Sequence, residues 1–220
     1  MKYKCIVIDH DDTVVDSTAT IHFPCFLEYL RKNMPGKEKE YTLSEYFLKN
    51  FHPGVEALFL EELRLSSEQF AQEQSFWWEY VKHHIPTVYP GIAQILWKFK
   101  KQGGIIAVCS HSYTEYILRD YASNLLPMPN SVYSWNMPPE NRKPSPYTVF
   151  DVMEKYNLSQ KEILVIDDSK PGFDMAKAAG VDFCAVCWAY DVPEIESFMR
   201  RHCTYFCKTV PELKALLFSR

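Results

Sequence analysis

Short apolar runs alternate along the chain with longer segments in which apolar residues recur at helical spacing. The runs have the length of strands buried on both faces and stand at Cys5–Ile8, Ile105–Cys109, 163–166 and 183–187. The helical patterns follow at Ile92–Lys101, 113–121, Tyr147–Tyr156 and 173–179. Strands that alternate with helices pair in parallel through right-handed crossovers, so the pattern predicts an α/β fold with a Rossmann-like parallel sheet.

The segment between residues 18 and 84 breaks this rhythm. It contains no convincing strand, and its helical patterns stand at 23–32, 43–50, 55–64 and 68–82. It therefore predicts an all-helical cap domain of residues 17–86, inserted after the first strand into a core domain of residues 1–16 and 87–220. The turn Tyr89-Pro90-Gly91 marks the return to the sheet. The aromatic run Phe76-Trp77-Trp78 is interpreted as part of the core of this cap.

Composition narrows the class of protein. With 220 residues, of which 47% are hydrophobic and 24% charged, the chain can bury one substantial core and a smaller lobe. A net charge of −4 without a basic block gives no reason to expect nucleic acid as a partner. No apolar stretch approaches the ~18 residues of a membrane span, and the first apolar run ends at Asp9, too early for a signal peptide. We expect a cytoplasmic protein without a membrane partner.

Seven cysteines, an odd number, fit a reducing compartment better than a disulfide framework. Cys184 and Cys187 form a C-x-x-C motif, with Cys203 and Cys207 beyond it. This motif lies in a predicted strand, where side chains three residues apart point to opposite faces. The two thiols are therefore poorly placed to bind one metal, and we interpret them as core residues.

Polar residues stand where three predicted strands end. Asp9 and Asp11 follow the first strand, Ser110 follows the second, and Asp167-Asp168 follow the third. Each alone is typical of a turn or a helix cap. In a parallel sheet, however, the carboxyl ends of neighbouring strands meet at one edge, which is where ligands bind.

Taken together, these segments resemble the haloacid dehalogenase superfamily, in the phosphoglycolate phosphatase and β-phosphoglucomutase branch with a helical cap. The resemblance covers nearly the whole chain, although in the cap it is one of architecture only. Its four motifs appear as Asp9-His-Asp-Asp-Thr-Val-Val-Asp-Ser17, Ala107-Val-Cys-Ser110, Lys143-Pro-Ser-Pro146 and Ile166-Asp-Asp-Ser-Lys-Pro-Gly172.

The resemblance implies a role for each motif residue. Asp9 would attack phosphorus and become an aspartyl phosphate. A carboxylate approaches a phosphate dianion only under positive charge, so Mg²⁺ is expected as cofactor. Its expected ligands are Asp9, the backbone carbonyl of Asp11 and Asp168, with Asp167 as a more distant or alternative ligand. Asp11 would protonate the leaving alkoxide and later deprotonate water.

The remaining motif residues are expected to hold the phosphate. Lys143 would neutralise the transferring group. Thr13, Ser110 and His111 are the other phosphate-binding candidates, with His111 expected to act through its backbone N–H.

Several positions depart from the family pattern. Asp12 stands where glycine is usual, which adds negative charge near the site and removes backbone freedom. Arg142 replaces a common glycine before the lysine, and His111 replaces a frequent asparagine. Asp174 is too far along from Asp168 to match the usual pair of acidic residues, and we expect it on a helix surface.

The resulting hypothesis is a Mg²⁺-dependent phosphatase that acts on a small phosphorylated metabolite. The acid at Asp11 favours ester hydrolysis over dehalogenation. The alternatives are a sugar-phosphate mutase of the same superfamily and a catalytically weak phosphate-binding or regulatory protein, for which Asp12 is the only support. Candidate substrate contacts in the cap are His22, Lys49 and His52, although each is by default a surface residue. The substrate itself and the oligomeric state stay open.

Overall fold

A six-stranded parallel sheet forms the centre of the molecule, in a computed structural model that describes residues 2–219. The strands lie in the order β5-β4-β1-β6-β7-β8, and every neighbouring pair is parallel. They span Cys5–Ile8 (β1), Ile105–Cys109 (β4), Ser131–Tyr133 (β5), Ile163–Asp167 (β6), Asp182–Val186 (β7) and Tyr205–Cys207 (β8). A separate antiparallel pair joins Val15–Asp16 (β2) to Thr87–Val88 (β3).

The apolar runs become central strands because both of their faces are covered. In β1, Cys5 and Val7 pack into the core on one face, while Ile6 and Ile8 pack into the core on the other. Hydrogen bonding on both sides, to β4 and β6, places the ends of three strands side by side, with Ile8 opposite the next-to-last residue of each neighbour, Val108 and Ile166. The strand order changes direction around β1, which opens a crevice at its carboxyl end.

Ten α-helices cover the sheet or form the cap, within residues 2–219. The cap helices are Phe23–Asn33 (α1), Leu43–Phe51 (α2), Val55–Ala57 (α3) and Ser67–Lys82 (α4). The core helices are Ile92–Lys101 (α5), Thr114–Ser123 (α6), Tyr147–Tyr156 (α7), Lys170–Ala179 (α8), Pro193–His202 (α9) and Val210–Phe218 (α10). Helices α7, α8 and α9 bury one face of the sheet, and α5, α6 and α10 bury the other.

The α/β architecture predicted from the sequence is confirmed. The strand predicted at 183–187 is shifted by one residue to Asp182–Val186. The edge strands β5 and β8 were not predicted, because runs of three residues give too little periodicity to distinguish a strand.

The cap differs locally from the predicted helices. The segment 55–64 is not one α-helix: its first turn, α3, continues as a π-helical turn at Leu58–Glu62. A second π-helical turn, at Thr18–His22, leads directly into α1. Hydrophobic spacing cannot separate an α-turn from a π-turn, which inserts only one extra residue into the repeat.

Two connectors join the cap to the core. They are residues 13–17 and 83–88, and they pair with each other through β2 and β3. This pairing lies at the domain boundaries expected from the sequence, 16/17 and 86/87, which stay predictions.

The cysteines are free thiols, and six of the seven are buried. Cys184 and Cys187 belong to the cores on opposite faces of the sheet, as their spacing in a strand predicts. Cys184 Sγ lies instead 3.6 Å from Cys207 Sγ on the neighbouring strand. None of the helices described between residues 2 and 219 has the length and apolar character needed to cross a bilayer.

Helices α1 and α4 pack together and enclose a carboxylate. Tyr29 on α1 donates to the carbonyl of Gln69 on α4 at 3.4 Å, and one further turn along α4 lies Glu73, which is only 4% exposed. Its one hydrogen bond among the described residues is a 3.5 Å contact from Gln74. Burial raises the pKa of Glu73 from 4.5 to about 7.

Glu73→Gln is expected to stabilise the protein at neutral and alkaline pH. Between pH 4.5 and about 7 the unfolded chain releases the Glu73 proton while the folded chain keeps it, so the stability of the native protein falls as pH rises through this window. We expect the variant to gain about 1–3 kcal/mol in free energy of unfolding at pH 8 and to match the native protein at pH 4.5. Urea unfolding at both pH values measures this, with exposed Glu61→Gln as the control. Equal gains at both pH values would contradict it.

Candidate active site

The acidic motif residues converge at the carboxyl ends of β1 and β6. Asp9 follows β1, and its N–H donates to the carbonyl of Ile166 at 2.9 Å, which fastens the two strand ends together. Asp167 ends β6 and Asp168 follows it. Carboxylate oxygens of Asp9, Asp167 and Asp168 all lie within 4.8 Å of one another.

Lys143 places its ammonium between two of these carboxylates. Its Nζ donates to Asp9 Oδ1 at 2.9 Å and to Asp167 Oδ2 at 2.8 Å. Burial disfavours the ammonium, but Asp167 and Asp9 raise the pKa of Lys143 well above its usual range. The lysine is therefore held charged in a buried site.

The charge balance of this cluster fits a divalent cation. Three carboxylates face one ammonium, so the cluster carries net negative charge when all are ionised. Burial, reinforced by Asp167, raises the pKa of Asp9, and burial, reinforced by Asp12, raises that of Asp168. Hard carboxylate oxygens are the ligands that Mg²⁺ prefers. Asp9, Asp167 and Asp168 are thus suited to bind a divalent cation, which would compensate their excess negative charge.

Asp11 lies outside this carboxylate cluster and has its own partners. Its Oδ2 accepts hydrogen bonds from Ser112 Oγ at 2.6 Å and from Ser110 Oγ at 3.2 Å, and its Oδ1 lies 3.2 Å from His22 Nε2. Burial opposes ionisation, yet the hydrogen bond from His22 and the nearby imidazole of His10 lower the pKa of Asp11 well below its usual range. Two carboxylates separated by one residue are therefore held in different states.

The cap reaches this centre through His22. Trp77 of α4 donates its indole N–H to His22 Nδ1 at 3.1 Å and stacks on the imidazole. Since the indole nitrogen is only a donor, Nδ1 is the acceptor and Nε2 carries the proton directed at Asp11. Of the three cap candidates, His22 is the one that contacts the motif residues.

The other two cap candidates lie away from the cluster. Lys49 pairs with Glu62 on the cap surface, and His52 is exposed. Trp77 and Trp78 also depart from the prediction of a buried cap core: Trp77 faces the core domain beside Tyr113, and Trp78 is 37% exposed. Hydrophobic character alone could not distinguish the cap interior from its contact with the core.

The phosphate-binding candidates occupy different surroundings. Thr13 is fully buried and its hydroxyl has no partner among the described residues. Ser110 is buried at the end of β4 and donates to Asp11. His111 is exposed, and its ring Nε2 lies 3.0 Å from the carbonyl of Lys143, so the imidazole supports the lysine loop. Their phosphate contacts stay predictions.

The loop before Lys143 is held by the residue that departs from the family pattern there. Arg142 donates to the carbonyl of Met137 at 2.8 Å, and its guanidinium lies 4.1 Å from the centre of the Trp135 ring. The larger side chain thus packs on the loop that precedes Lys143. Asp174 pairs with Lys170 on the surface of α8, as expected.

Asp12 occupies the glycine position in a glycine-like conformation. Its φ is +56°, in the left-handed region that aspartate tolerates better than most residues. Its Oδ1 accepts the N–H of Thr18 at 3.1 Å, which ties residues 9–12, the catalytic loop that follows β1, to the first turn of the cap. Burial raises the pKa of Asp12 to about 7.

Sequence reasoning missed two residues that contact the site. Ser112 makes the shorter of the two hydroxyl contacts to Asp11, and Trp77 orients His22. The serine could have been found from its position two residues after Ser110. No local signal marks Trp77, because only the packing of the cap on the core brings it to the site.

Three of the motif residues have little solvent exposure in this conformation. Asp9, Lys143 and Asp168 are 5%, 7% and 9% exposed. The cap residue His22 contacts Asp11 beside them.

Comparison with known proteins agrees with this fold. A family model described as haloacid dehalogenase-like hydrolase matches residues 6–186. A phosphoglycolate phosphatase of Mesorhizobium japonicum is 21% identical over 90% of this chain and 88% of its own, and one of Pseudomonas savastanoi is 25% identical over 86% and 71%.

Solved structures share the whole fold. A haloacid dehalogenase-like hydrolase from Bacteroides fragilis has a TM-score of 0.80 at 21% identity, over 96% of this chain and 100% of that one. A predicted phosphoglycolate phosphatase from Haemophilus somnus has a TM-score of 0.78 at 19% identity, over 99% of both chains. The chain belongs to the haloacid dehalogenase-like hydrolase family. Its similarity to phosphoglycolate phosphatases over most of its length identifies it as a member of their branch and as a phosphatase, a hydrolase of phosphoric monoesters.

Gly172→Ala is expected to lower kcat by about 100-fold although alanine favours helices. A Cβ at Gly172 would lie 2.1 Å from Asp167 Oδ2, the oxygen that binds Lys143. Asp167 cannot retreat freely, because its other oxygen accepts the N–H and hydroxyl of Ser169. Steady-state kinetics and the melting temperature measure the effect. Native kcat with raised stability, the usual result of Gly→Ala in a helix, would contradict it.

Asp12→Asn is expected to lower KM above pH 7 and to leave it unchanged near pH 5.5. With its pKa at about 7, Asp12 is neutral at low pH, and as pH rises it acquires a negative charge that repels a phosphate dianion. Asparagine keeps an acceptor for the Thr18 N–H and tolerates the left-handed backbone. KM measured for one substrate across this pH range tests the effect. Parallel pH profiles for the two proteins would show that the Asp12 charge does not reach the substrate.

Proposed function

We propose that this protein is a Mg²⁺-dependent phosphatase of small phosphorylated metabolites that works through an aspartyl phosphate on Asp9. The observation that carries the proposal is the separation of Asp9 from Asp11. Asp9 lies in the cluster of Lys143, Asp167 and Asp168, while Asp11 is held by hydroxyls and by the cap. Attack on phosphorus and proton transfer thus fall to two differently surrounded carboxylates.

In the first half of the reaction a carboxylate oxygen of Asp9 forms a bond to phosphorus, and the bond from phosphorus to the leaving oxygen breaks. Lys143 is within hydrogen-bond reach of Asp9 and neutralises negative charge on the reacting groups. Asp11, in its protonated form, donates its proton to the leaving alkoxide. Asp9 and Asp168, with Asp167 beside them, would hold Mg²⁺, which would neutralise charge on the phosphoryl oxygens.

In the second half water attacks the phosphorus of the aspartyl phosphate and the acyl phosphate bond breaks, which releases phosphate and restores Asp9. Asp11 takes the proton of the attacking water. The hydrogen bond from His22 outweighs burial and lowers the pKa of Asp11 in this conformation, so the carboxylate is ionised, which is the form that accepts a proton. The cap therefore keeps Asp11 unprotonated through His22 when it is closed.

Closure over the site favours small substrates. Asp9, Lys143 and Asp168 are each less than a tenth exposed, so a large phosphorylated macromolecule cannot be enclosed with the cap in this position. Phosphoglycolate, the substrate named for the curated relatives, is the first small phosphomonoester to test.

The contacts of the cap favour hydrolysis over mutase activity. A mutase must hold the second phosphate of a bisphosphate intermediate, which calls for a free cation in the cap. Lys49, the cation proposed for the cap, pairs with Glu62 instead, and no lysine or arginine of residues 17–86 hydrogen-bonds or pairs with a motif residue. Asp12 also gives little support to an inactive binding protein, because it adopts the conformation that glycine would adopt.

Asp9→Asn is expected to abolish phosphate release, because an amide cannot form the acyl phosphate. Activity should require Mg²⁺ and be lost with a chelator. Phosphate release from p-nitrophenyl phosphate, from phosphoglycolate and from a panel of sugar phosphates measures this. Asp174→Asn, a surface change on α8, is the matched control and should retain full activity.

Other results would overturn the assignment. Interconversion of sugar phosphates without net phosphate release would identify a mutase. Absence of turnover on the whole panel, with Mg²⁺ present, would identify a binding or regulatory protein.

A further inference from the structure

A chain of polar side chains, buried at His10 and Asp120 and partly exposed at Arg119, connects the catalytic loop to the second cap connector, and the proposed reaction does not use it. His10, the residue between the two catalytic aspartates, is 1% exposed and places Nε2 at 3.1 Å from Asp120 Oδ2. The other oxygen of Asp120 accepts from Arg119 Nε at 2.8 Å. The chain therefore runs from the loop to helix α6.

Arg119 in turn hydrogen-bonds to the C-terminal end of the last cap helix, α4, and to the connector that follows it. Its NH1 donates to the carbonyls of Val81 and Lys82 at 3.0 and 3.1 Å, and its NH2 donates to the carbonyl of His84 at 3.0 Å. These carbonyls belong to the last turn of α4 and the start of the connector 83–88. One guanidinium thus satisfies the open carbonyls of a helix end and a buried carboxylate at the same time.

His10 can transmit this contact to the catalytic loop because its own carbonyl organises that loop. The carbonyl of His10 accepts the N–H groups of Val14 and Val15 at 2.9 and 3.1 Å, which closes the tight turn that carries Asp11. The His10 imidazole also stacks on the ring of Tyr121, with 5.9 Å between the ring centres. A ring clamped between Tyr121 and Asp120 leaves its backbone little freedom.

We infer that Arg119, Asp120 and His10 are positioning residues, which make the geometry of the catalytic loop depend on the seating of connector 83–88. Burial argues for this role over a simple stabilising one. A buried ion pair adds little net stability against apolar residues of the same size, so a chain of buried polar groups is better explained by geometric specificity. The kinetic test of this inference rests on the proposed function, because the loop that these residues position carries Asp9 and Asp11.

A double-mutant cycle tests the link kinetically. Arg119→Met removes the grip on the connector, and His10→Phe keeps the stacking on Tyr121 but removes the contact to Asp120. Each single variant is expected to lower kcat by about 10- to 100-fold, and the double variant is expected to lose no more than the worse single variant, because both cut the same link. Losses that multiply would overturn the inference.

Helix α6 offers a matched control. Tyr116 donates its hydroxyl to the carbonyl of Trp78 on α4 at 3.0 Å, so Tyr116→Phe also removes a contact to the cap but lies outside the chain. Tyr116→Phe is expected to lower kcat only slightly. In the double variant with His10→Phe, the two fold-losses in kcat are expected to multiply, because the two contacts are independent. Should the buried variants fold poorly, Asp120→Asn, which keeps the shape, replaces Arg119→Met in the cycle.

Amide hydrogen exchange tests the link without relying on activity. Arg119→Met is expected to raise exchange at the amides of Val14 and Val15, and His10→Phe is expected to raise it in connector 83–88. Tyr116→Phe is expected to leave the catalytic loop unchanged. Unchanged loop exchange in Arg119→Met would overturn the inference even if every variant is inactive. Conversely, if the native protein releases no phosphate, the proposed function is wrong, but the exchange experiment still tests this inference.

Discussion

The ammonium of Lys143, between the carboxylates of Asp9 and Asp167, is the interaction on which the site depends. Three acidic side chains are brought together where β1 and β6 end, and without positive charge burial would drive them to bind protons. Lys143 is the buried cation that holds Asp9 in place, and the remaining negative charge accounts for a divalent cation in the proposed reaction. The close approach of Gly172 to Asp167 and the packing of the loop before Lys143 both serve this one contact.

Asp11 shows how the same loop supports a different chemistry two residues later. Its carboxylate leaves the cation cluster and takes hydrogen bonds from Ser110 and Ser112, which come from the end of β4, and from His22 of the cap. The sheet therefore decides where the attacking group lies, and the cap contributes to the state of the proton carrier. Such a division lets closure of the cap act on proton transfer while the nucleophile stays fixed on the sheet.

The two connectors are tied to the catalytic loop by separate contacts. Asp12 binds the N–H of Thr18 at the start of the cap, and His10 reaches the end of the cap through Asp120 and Arg119. The segment from His10 to Asp12 is thus linked to both ends of the cap, and it also carries Asp11 of the reaction centre. This places Asp12, the departure from the family pattern, in a structural role that a glycine could not fill, because glycine has no side-chain acceptor.

The alternation of apolar runs and helical patterns was enough to predict the parallel sheet and the helical insertion, since a strand buried on both faces and an amphipathic helix follow from local periodicity. The motif residues could likewise be placed, because Asp9, Ser110 and Asp168 each follow a strand and strand ends meet at one edge. The sequence did not reveal the partners of Asp11, the role of Trp77 or the chain from His10 to Arg119. Those contacts join residues as many as 110 positions apart, and some lie within the core while others lie within the cap or between cap and core. Only the tertiary packing of these segments brings the residues within hydrogen-bond distance.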